Sequence, residues 1–294
     1  MTNEERERLE YFYNVNRGIL LNNFEFLKGK KGHLTYDFDC PEYQTLKEKY
    51  NIEEIAGEGN EFTRAKRLLN NFSPRLKHAS SYDNHVEENS LALLEYSLDN
   101  PKQGINCLAK AKIFAEMCLA LGIKARRIGI MPYSPYDLDN HVVNEIFDHE
   151  LNKWIMMDLT CNTYFINKDK TPLSMLEIRE HFAKHEFITA IECDESLTDI
   201  KEIEKKNLET NWYIAKNSFR FTVDKYQGFG LKGGKLYFVP KGFSVKNWQI
   251  HCFEYKYRYC VDNNIPLVND MKEELEKTKK IKKFNIWNIN TLKE

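Results

Sequence analysis

What the 294-residue sequence lacks narrows it first. There is no excess of either charge: 43 Lys+Arg stand against 44 Asp+Glu, a formal net charge of -1. Such a balance supplies no general attraction to nucleic acid or to an anionic membrane, so neither is an expected partner. No stretch approaches the roughly 18 consecutive apolar residues that a membrane span needs. The charged opening, Met1 to Arg8, lacks the apolar run of a signal peptide. The seven cysteines (40, 107, 118, 161, 193, 252 and 260) are odd in number and scattered, and no two are spaced C-x-x-C. That pattern argues against a disulfide framework and fits free thiols in a reducing compartment; a cytoplasmic location is the expectation. No repeat of solenoid or propeller period occurs, and no Pro/Gly/Ser-rich linker cuts the chain.

What is present can build a core: 42% of residues are hydrophobic and 13% aromatic. A helix is expected over 3–17, with Asn3 as its cap and Gly18 just past its end. Residues 19–60, punctuated by Gly29, Gly32, Pro41, Gly57 and Gly59, read as irregular. Phe62, Ala65, Leu68, Leu69 and Phe72 recur on one helical face and predict a helix over 61–72. Another fits 88–98. From 104 the texture changes. Cys107 to Leu121 is a largely apolar helix stopped by Gly122, and Ile123 to Ile130 is a strand. His141–Phe147 and Lys153–Leu159 are two β-segments around a polar turn, and a capping box at Ser174 and Glu177 opens a helix over 174–185. The last third holds a charged helix at about 196–216, β-segments at 218–224 and 235–240, and a charge-rich helix over 271–283. The aromatic stretch 248–259 alternates as a strand at Phe253, Tyr255, Tyr257 and Tyr259, yet Trp248, Cys252, Tyr255 and Tyr259 share a helical face, and helix is the preferred reading.

Three residues carry the chemistry. A nucleophilic cysteine needs a stabilised thiolate, a base nearby and a group that orients the base. Cys107 opens an apolar helix whose positive end favours a thiolate. Asn106 is placed to cap that helix, and an amide there is a candidate to hold an oxyanion. His141 and Asp158 lie equidistant from the point between His149 and Glu150. Antiparallel pairing about that point sets them directly opposite, with Cβ atoms about 4.5–5.5 Å apart. At that distance a carboxylate fixes the imidazole tautomer and leaves the other ring nitrogen for the thiol. Each residue alone has a plainer reading, such as a buried cysteine; the combination carries the signal.

Gly104 to Ala111 followed by Ala120 to Arg126, then Asn140 to Ile146, then Lys153 to Thr160, resemble the cysteine helix, histidine strand and aspartate strand of the transglutaminase-like superfamily, in that order. Leu173 to Glu180 and Ala215 to Phe221 are similar to segments of its bacterial members. Val143, where members often carry Trp, and Leu159, where Pro is common, leave the subfamily open. The resemblance implies an α+β, papain-like core, with a Cys-bearing helix packed on an antiparallel sheet, over 86–195. A mostly helical region (1–85) precedes it and a mixed α/β extension (196–294) follows.

The activity implied is thiolate attack on an amide or ester carbonyl to give a thioester, with water or an amine as acceptor. The chain would then be a cysteine hydrolase or acyltransferase acting on a peptide, a protein or a small amide or amine. The alternative is a non-catalytic binding or scaffold protein on the same fold. No cofactor or resident metal is implied. Cys107, His141 and Asp158 are conceivable zinc ligands, but a helix-start cysteine with paired His and Asp strands suits nucleophilic catalysis better. His181 and His185 stand four apart without the glutamate of H-E-x-x-H, and Gly228 to Gly233 leads into a strand and not a helix, so it reads as a turn. Cys118 and Cys161 are expected to be structural, with Cys161, three residues after Asp158, the likelier exception. Tyr133 and Tyr136, in the loop before His141, are candidates to shape substrate entry. The oligomeric state is open.

Overall fold

The elements follow from caps and apolar spacing. In the computed structural model, which describes residues 1–193, 199–266 and 268–294, helix α1 spans Asn3–Asn22. Thr2 caps it in a capping box with Glu5, one residue before the expected Asn3. Gly18 lies inside α1, not beyond it. The last turn buries Leu20 in the core, which outweighs the roughly 1 kcal/mol that a helical glycine costs. The stretch expected to be irregular holds strand β1 (Thr35–Tyr36) and helices α2 (Glu42–Tyr50) and α3 (Ile52–Ala56). Each of the two helices is anchored by only two buried side chains, Tyr43 and Leu46 in α2 and Ile52 and Ala56 in α3, too few for a period to show. Helices α4 (Glu61–Phe72) and α5 (Ser90–Asp99) are capped by Asn60 and Asn89.

Helix α6 (Cys107–Ala120) is buried on every side from Ala109 to Ala120, the mark of a central helix. Its end is a Schellman turn: Ile123 N donates to Cys118 O at 2.9 Å, and Gly122 takes φ +76°. Strands β2 (Ala125–Met131), β3 (His141–Asp148), β4 (Lys153–Asp158) and β5 (Thr163–Ile166) follow, then α7 (Met175–Lys184), β6 (Thr189–Glu192) and α8 (Ile200–Asn217). The chain closes with β7 (Arg220–Asp224), β8 (Tyr226–Gln227), β9 (Lys235–Phe238), α9 (Val245–Asp262), α10 (Val268–Lys280) and a 3-10 turn at Ile289–Leu292. The aromatic stretch 248–259 is helical, as its shared face predicts. The charged helix is expected from 196, and residues 196–198 lie outside the described residues. Gly228 to Gly233 is a loop, held where Lys112 Nζ donates to Gly228 O and Gly230 N donates to Glu116 Oε1.

Seven strands form one antiparallel sheet in the order β6-β5-β4-β3-β2-β7-β9. One face, with Ala125, Ile146, Ile155 and Met157, packs against α6, behind which lie α2, α4 and α5. The other face, with Ile128, Ile130, Val143 and Met156, packs under α1, α7 and α8 through Leu20, Phe182 and Ile214. This is the expected α+β core, a cysteine-bearing helix on an antiparallel sheet. Both edge strands have partners on their outer side: Tyr237 of β9 exchanges backbone bonds with Asn285 and Trp287, and Asn207 of α8 donates its amide to Ala190 O of β6. Among the described residues no helix is long and apolar enough to cross a membrane.

Candidate active site

All three predicted residues stand at the ends of elements. Cys107 is the first residue of α6, His141 the first of β3 and Asp158 the last of β4. The approach to α6 is tight. Ile105 N donates to Lys77 O and Ala79 N to Ile105 O, both at 3.0 Å. A Cβ on Gly104 would stand 2.7 Å from Ala79 Cβ and 2.9 Å from Ala79 N. Gly104→Ala is therefore expected to lower stability by about 1–3 kcal/mol through overpacking against backbone, read as a lower urea midpoint at constant slope. An unchanged midpoint would mean that the 77–80 segment gives way freely.

Asn106 caps α6, its Oδ1 accepting from Ala109 N at 3.1 Å. Its side-chain amide donates to Tyr82 O (3.3 Å) and Asn84 Oδ1 (3.0 Å), so this amide is committed to the neighbouring loop and the cap is the function the geometry shows.

The hairpin register departs from expectation. β3 and β4 pair from Asn144↔Met157 to Asp148↔Lys153, centred between Glu150 and Leu151. The cause is a four-residue turn, with Asp148 Oδ1 accepting from Leu151 N at 2.8 Å and Asn152 left-handed at φ +49°. Asp158 is thus diagonal to His141, not directly opposite. An offset of two residues keeps both on one face, and side chains reach across a diagonal pair. His141 Nε2 and Asp158 Oδ2 lie 2.7 Å apart, with the two residues 2% and 0% exposed. Asp158 Oδ1 accepts from the amides of Thr160 (2.8 Å) and Cys161 (3.3 Å), so both carboxylate oxygens are used.

Burial alone would discharge both groups. For His141 the loss of water pulls the pKa down, but the Asp158 charge and hydrogen bond, with a smaller contribution from the Cys107 thiol, lift it to about 10. For Asp158 burial pushes up, and the His141 charge and bond with the two amides bring it below its usual 3.8. The pair is therefore imidazolium and carboxylate. The raised His141 pKa contributes stability that is full below its unfolded value near 6.5 and is lost as pH rises through about 10. The depressed Asp158 contributes stability that is full above 3.8 and is lost as pH falls through its lower folded value. The stability gap between wild type and Asp158→Asn, measured by urea unfolding, is expected to be widest at neutral pH and to narrow above pH 10. A gap independent of pH would contradict the ion pair.

A cavity of about 540 Å³ opens over these residues. It is lined by Cys107, His141 and Cys161, by His78 and Asn84 of the loop beside α6, and by Tyr213 of α8. Beyond them it reaches Arg127, Asp224 and Lys235. Tyr133 and Tyr136 do not line it. Tyr133 packs edge-on against Phe219 and accepts from Trp248 Nε1 through its carbonyl, while Tyr136 meets Tyr255 edge-on. Leu138, Asp139 and Asn140, from the end of the same loop, take the place expected of the tyrosines. Tyr213, its ring 5.3 Å from that of His141 and its hydroxyl donating to Asp139 Oδ1 at 3.0 Å, had no local sequence signal; only tertiary folding brings α8 here. Cys118 is fully buried, its pKa raised by burial. Cys161, the likelier exception among the cysteines expected to be structural, is half-buried and opens on the cavity. His185 is the left-handed cap of α7, and His181 pairs with Glu186.

Residues 49–159 match the model of the transglutaminase-like superfamily. No curated protein matches the chain. Among solved structures, a chain in the crystal structure of Rad4-Rad23 bound to a 6-4 photoproduct UV lesion is similar at 12% identity, over 85% of this chain and 74% of that one, with a TM-score of 0.25. The superfamily generally comprises cysteine-based enzymes of papain-like fold, and the matched span contains Cys107, His141 and Asp158. Residues 49–159 are a transglutaminase-like superfamily domain.

Proposed function

We propose that the cavity performs cysteine-dependent acyl transfer or amide hydrolysis through a thioester. The Cys107 sulfur attacks a carbonyl carbon, and its proton resides on His141. His141 passes that proton to the leaving amine or alcohol, then takes one from the incoming acceptor as that acceptor attacks the thioester. Asp158 holds the ring by Nε2, which leaves Nδ1 as the nitrogen for proton traffic. Backbone N–H groups in the first turn of α6 are the available donors for the oxyanion. Water as acceptor makes the chain a hydrolase and an amine makes it a transferase. The substrate is a peptide, a protein or a small amide.

The observation that carries this reading is the buried 2.7 Å His141–Asp158 bond beside a helix-start cysteine in one cavity. A structural cysteine needs no charged pair at its side. The test is competitive labelling with iodoacetamide, read by mass spectrometry at each of the seven thiols. Cys161 is the internal standard, since it is half-buried in the same cavity. Cys107 is expected to react first and to lose that advantage in His141→Ala. Equal rates at Cys107 and Cys161 would defeat the proposal.

A further inference from the structure

We infer that His141, Asp158 and Cys161 form a site for one thiophilic divalent cation of the Zn²⁺ class, whose binding shuts the cavity. Each residue offers one ligand atom, and the three atoms lie within 4.8 Å of one another, the one such group among the described residues. Nitrogen, oxygen and sulfur donors together select zinc over calcium or magnesium, which take oxygen. Zinc bonds of about 2.0–2.3 Å place tetrahedral ligand atoms roughly 3.3–3.8 Å apart, so side-chain rotation has to part the His141–Asp158 pair, now at 2.7 Å, to admit the ion.

The backbone is already set for this. Cys161 lies in the turn leaving β4, where its amide and that of Thr160 donate to Asp158 Oδ1. Those bonds hold the carboxylate as an outer partner holds a metal ligand, and Oδ2 exchanges its bond to His141 for the ion. The Cys161 thiol lies within 4.8 Å of the same carboxylate's ligand oxygen. Binding replaces two protons, one from the imidazole and one from the thiol, and releases both to solvent. Two of the three ligands, His141 and Cys161, line the cavity that Cys107 also lines. The pair of zinc-binding thiol and catalytic thiol is thus divided: Cys161 ligates, while Cys107 stays outside the ligand set. That His141 can no longer carry protons when it is a ligand rests on the acyl-transfer reading; the metal site itself does not.

The experiment titrates wild type, Cys161→Ser and Cys107→Ser with Zn²⁺ against a chromophoric chelator, and with Co²⁺ by absorption. Wild type and Cys107→Ser are expected to bind one Zn²⁺ and to show a thiolate-to-cobalt charge-transfer band. Cys161→Ser, with its fold checked by circular dichroism, is expected to lose the band and at least the 10–100-fold in affinity that even an outer partner supplies. The proposal is overturned if wild type binds no stoichiometric Zn²⁺, if Cys161→Ser keeps the band, or if the band disappears in Cys107→Ser instead. Zn²⁺ is further expected to suppress iodoacetamide labelling of Cys107 in wild type; labelling unchanged at saturating metal would refute the closure. Failure of the acyl-transfer reading shows separately, as a lack of preferential Cys107 labelling in metal-free wild type.

Discussion

His141→Ala is expected to slow acylation of Cys107 by roughly 10²–10⁴-fold, the range a positioned acid–base group contributes. The measurement is the burst of nitrophenolate from a p-nitrophenyl ester: one equivalent per wild-type chain, the same amplitude at a much lower rate for His141→Ala, and none for Cys107→Ala. The size of the effect follows from the geometry. Nothing else lining the cavity is placed to replace an imidazole that is 2% exposed and bonded at 2.7 Å to a carboxylate; His78 stands on a separate loop, its own pKa lowered by burial and by Lys110. Asp158→Asn is expected to fall between the two, since an amide still orients the ring but no longer supports its charge. A burst of undiminished rate in His141→Ala would remove the histidine from the mechanism.

The largest loss of stability is expected from Glu145→Ala, about 3–5 kcal/mol by urea unfolding. Arg126 and Glu145 face each other across β2 and β3, both 1% exposed. Arg126 Nε and Nη2 donate to Glu145 Oε2 at 2.8 and 2.6 Å, and Glu145 Oε1 accepts from Met175 N, the first residue of α7, at 2.7 Å. The guanidinium lies 3.7 Å from the centre of the Trp154 ring. Without the carboxylate a buried cation is left unpaired and the start of α7 loses an acceptor, and each of these alone is costly. The double variant Arg126→Met, Glu145→Leu is expected to regain most of the loss, because a buried pair replaced by apolar residues is often neutral. A double variant as unstable as the single one would place the cost in packing and not in the stranded charge.

Much of the site was legible because its residues sit on long, well-marked elements. α6 shows a cap at Asn106, an unbroken apolar body and a terminal Gly122. The partnership of His141 and Asp158 survived a misplaced hairpin centre, since the error moved the partner by two residues and the faces of a strand repeat every two. The turn itself was not legible: its length depends on the Asp148 carboxylate reaching Leu151 N and on Asn152 turning left-handed. α2 and α3 escaped notice because nine and five residues are too few to display a period. Gly18 misled, because glycine marks a helix end only when tertiary packing does not carry the helix onward. Tyr213 and His78 reach the cavity from distant segments, and no local pattern announces such neighbours.

The partners on the outer side of both edge strands bear on how a peptide would be read. Many peptide-binding folds capture a chain as one more strand, drawing affinity from main-chain bonds that ignore sequence. Here the outer side of β9 is already bonded to Asn285 and Trp287, and Ala190 O of β6 is held by Asn207. On the acyl-transfer proposal, selectivity for a peptide would therefore fall to side chains around the cavity mouth, a few polar groups set in a concave wall. Such a reader tells one residue or one small molecule from another far better than it measures the length of a strand.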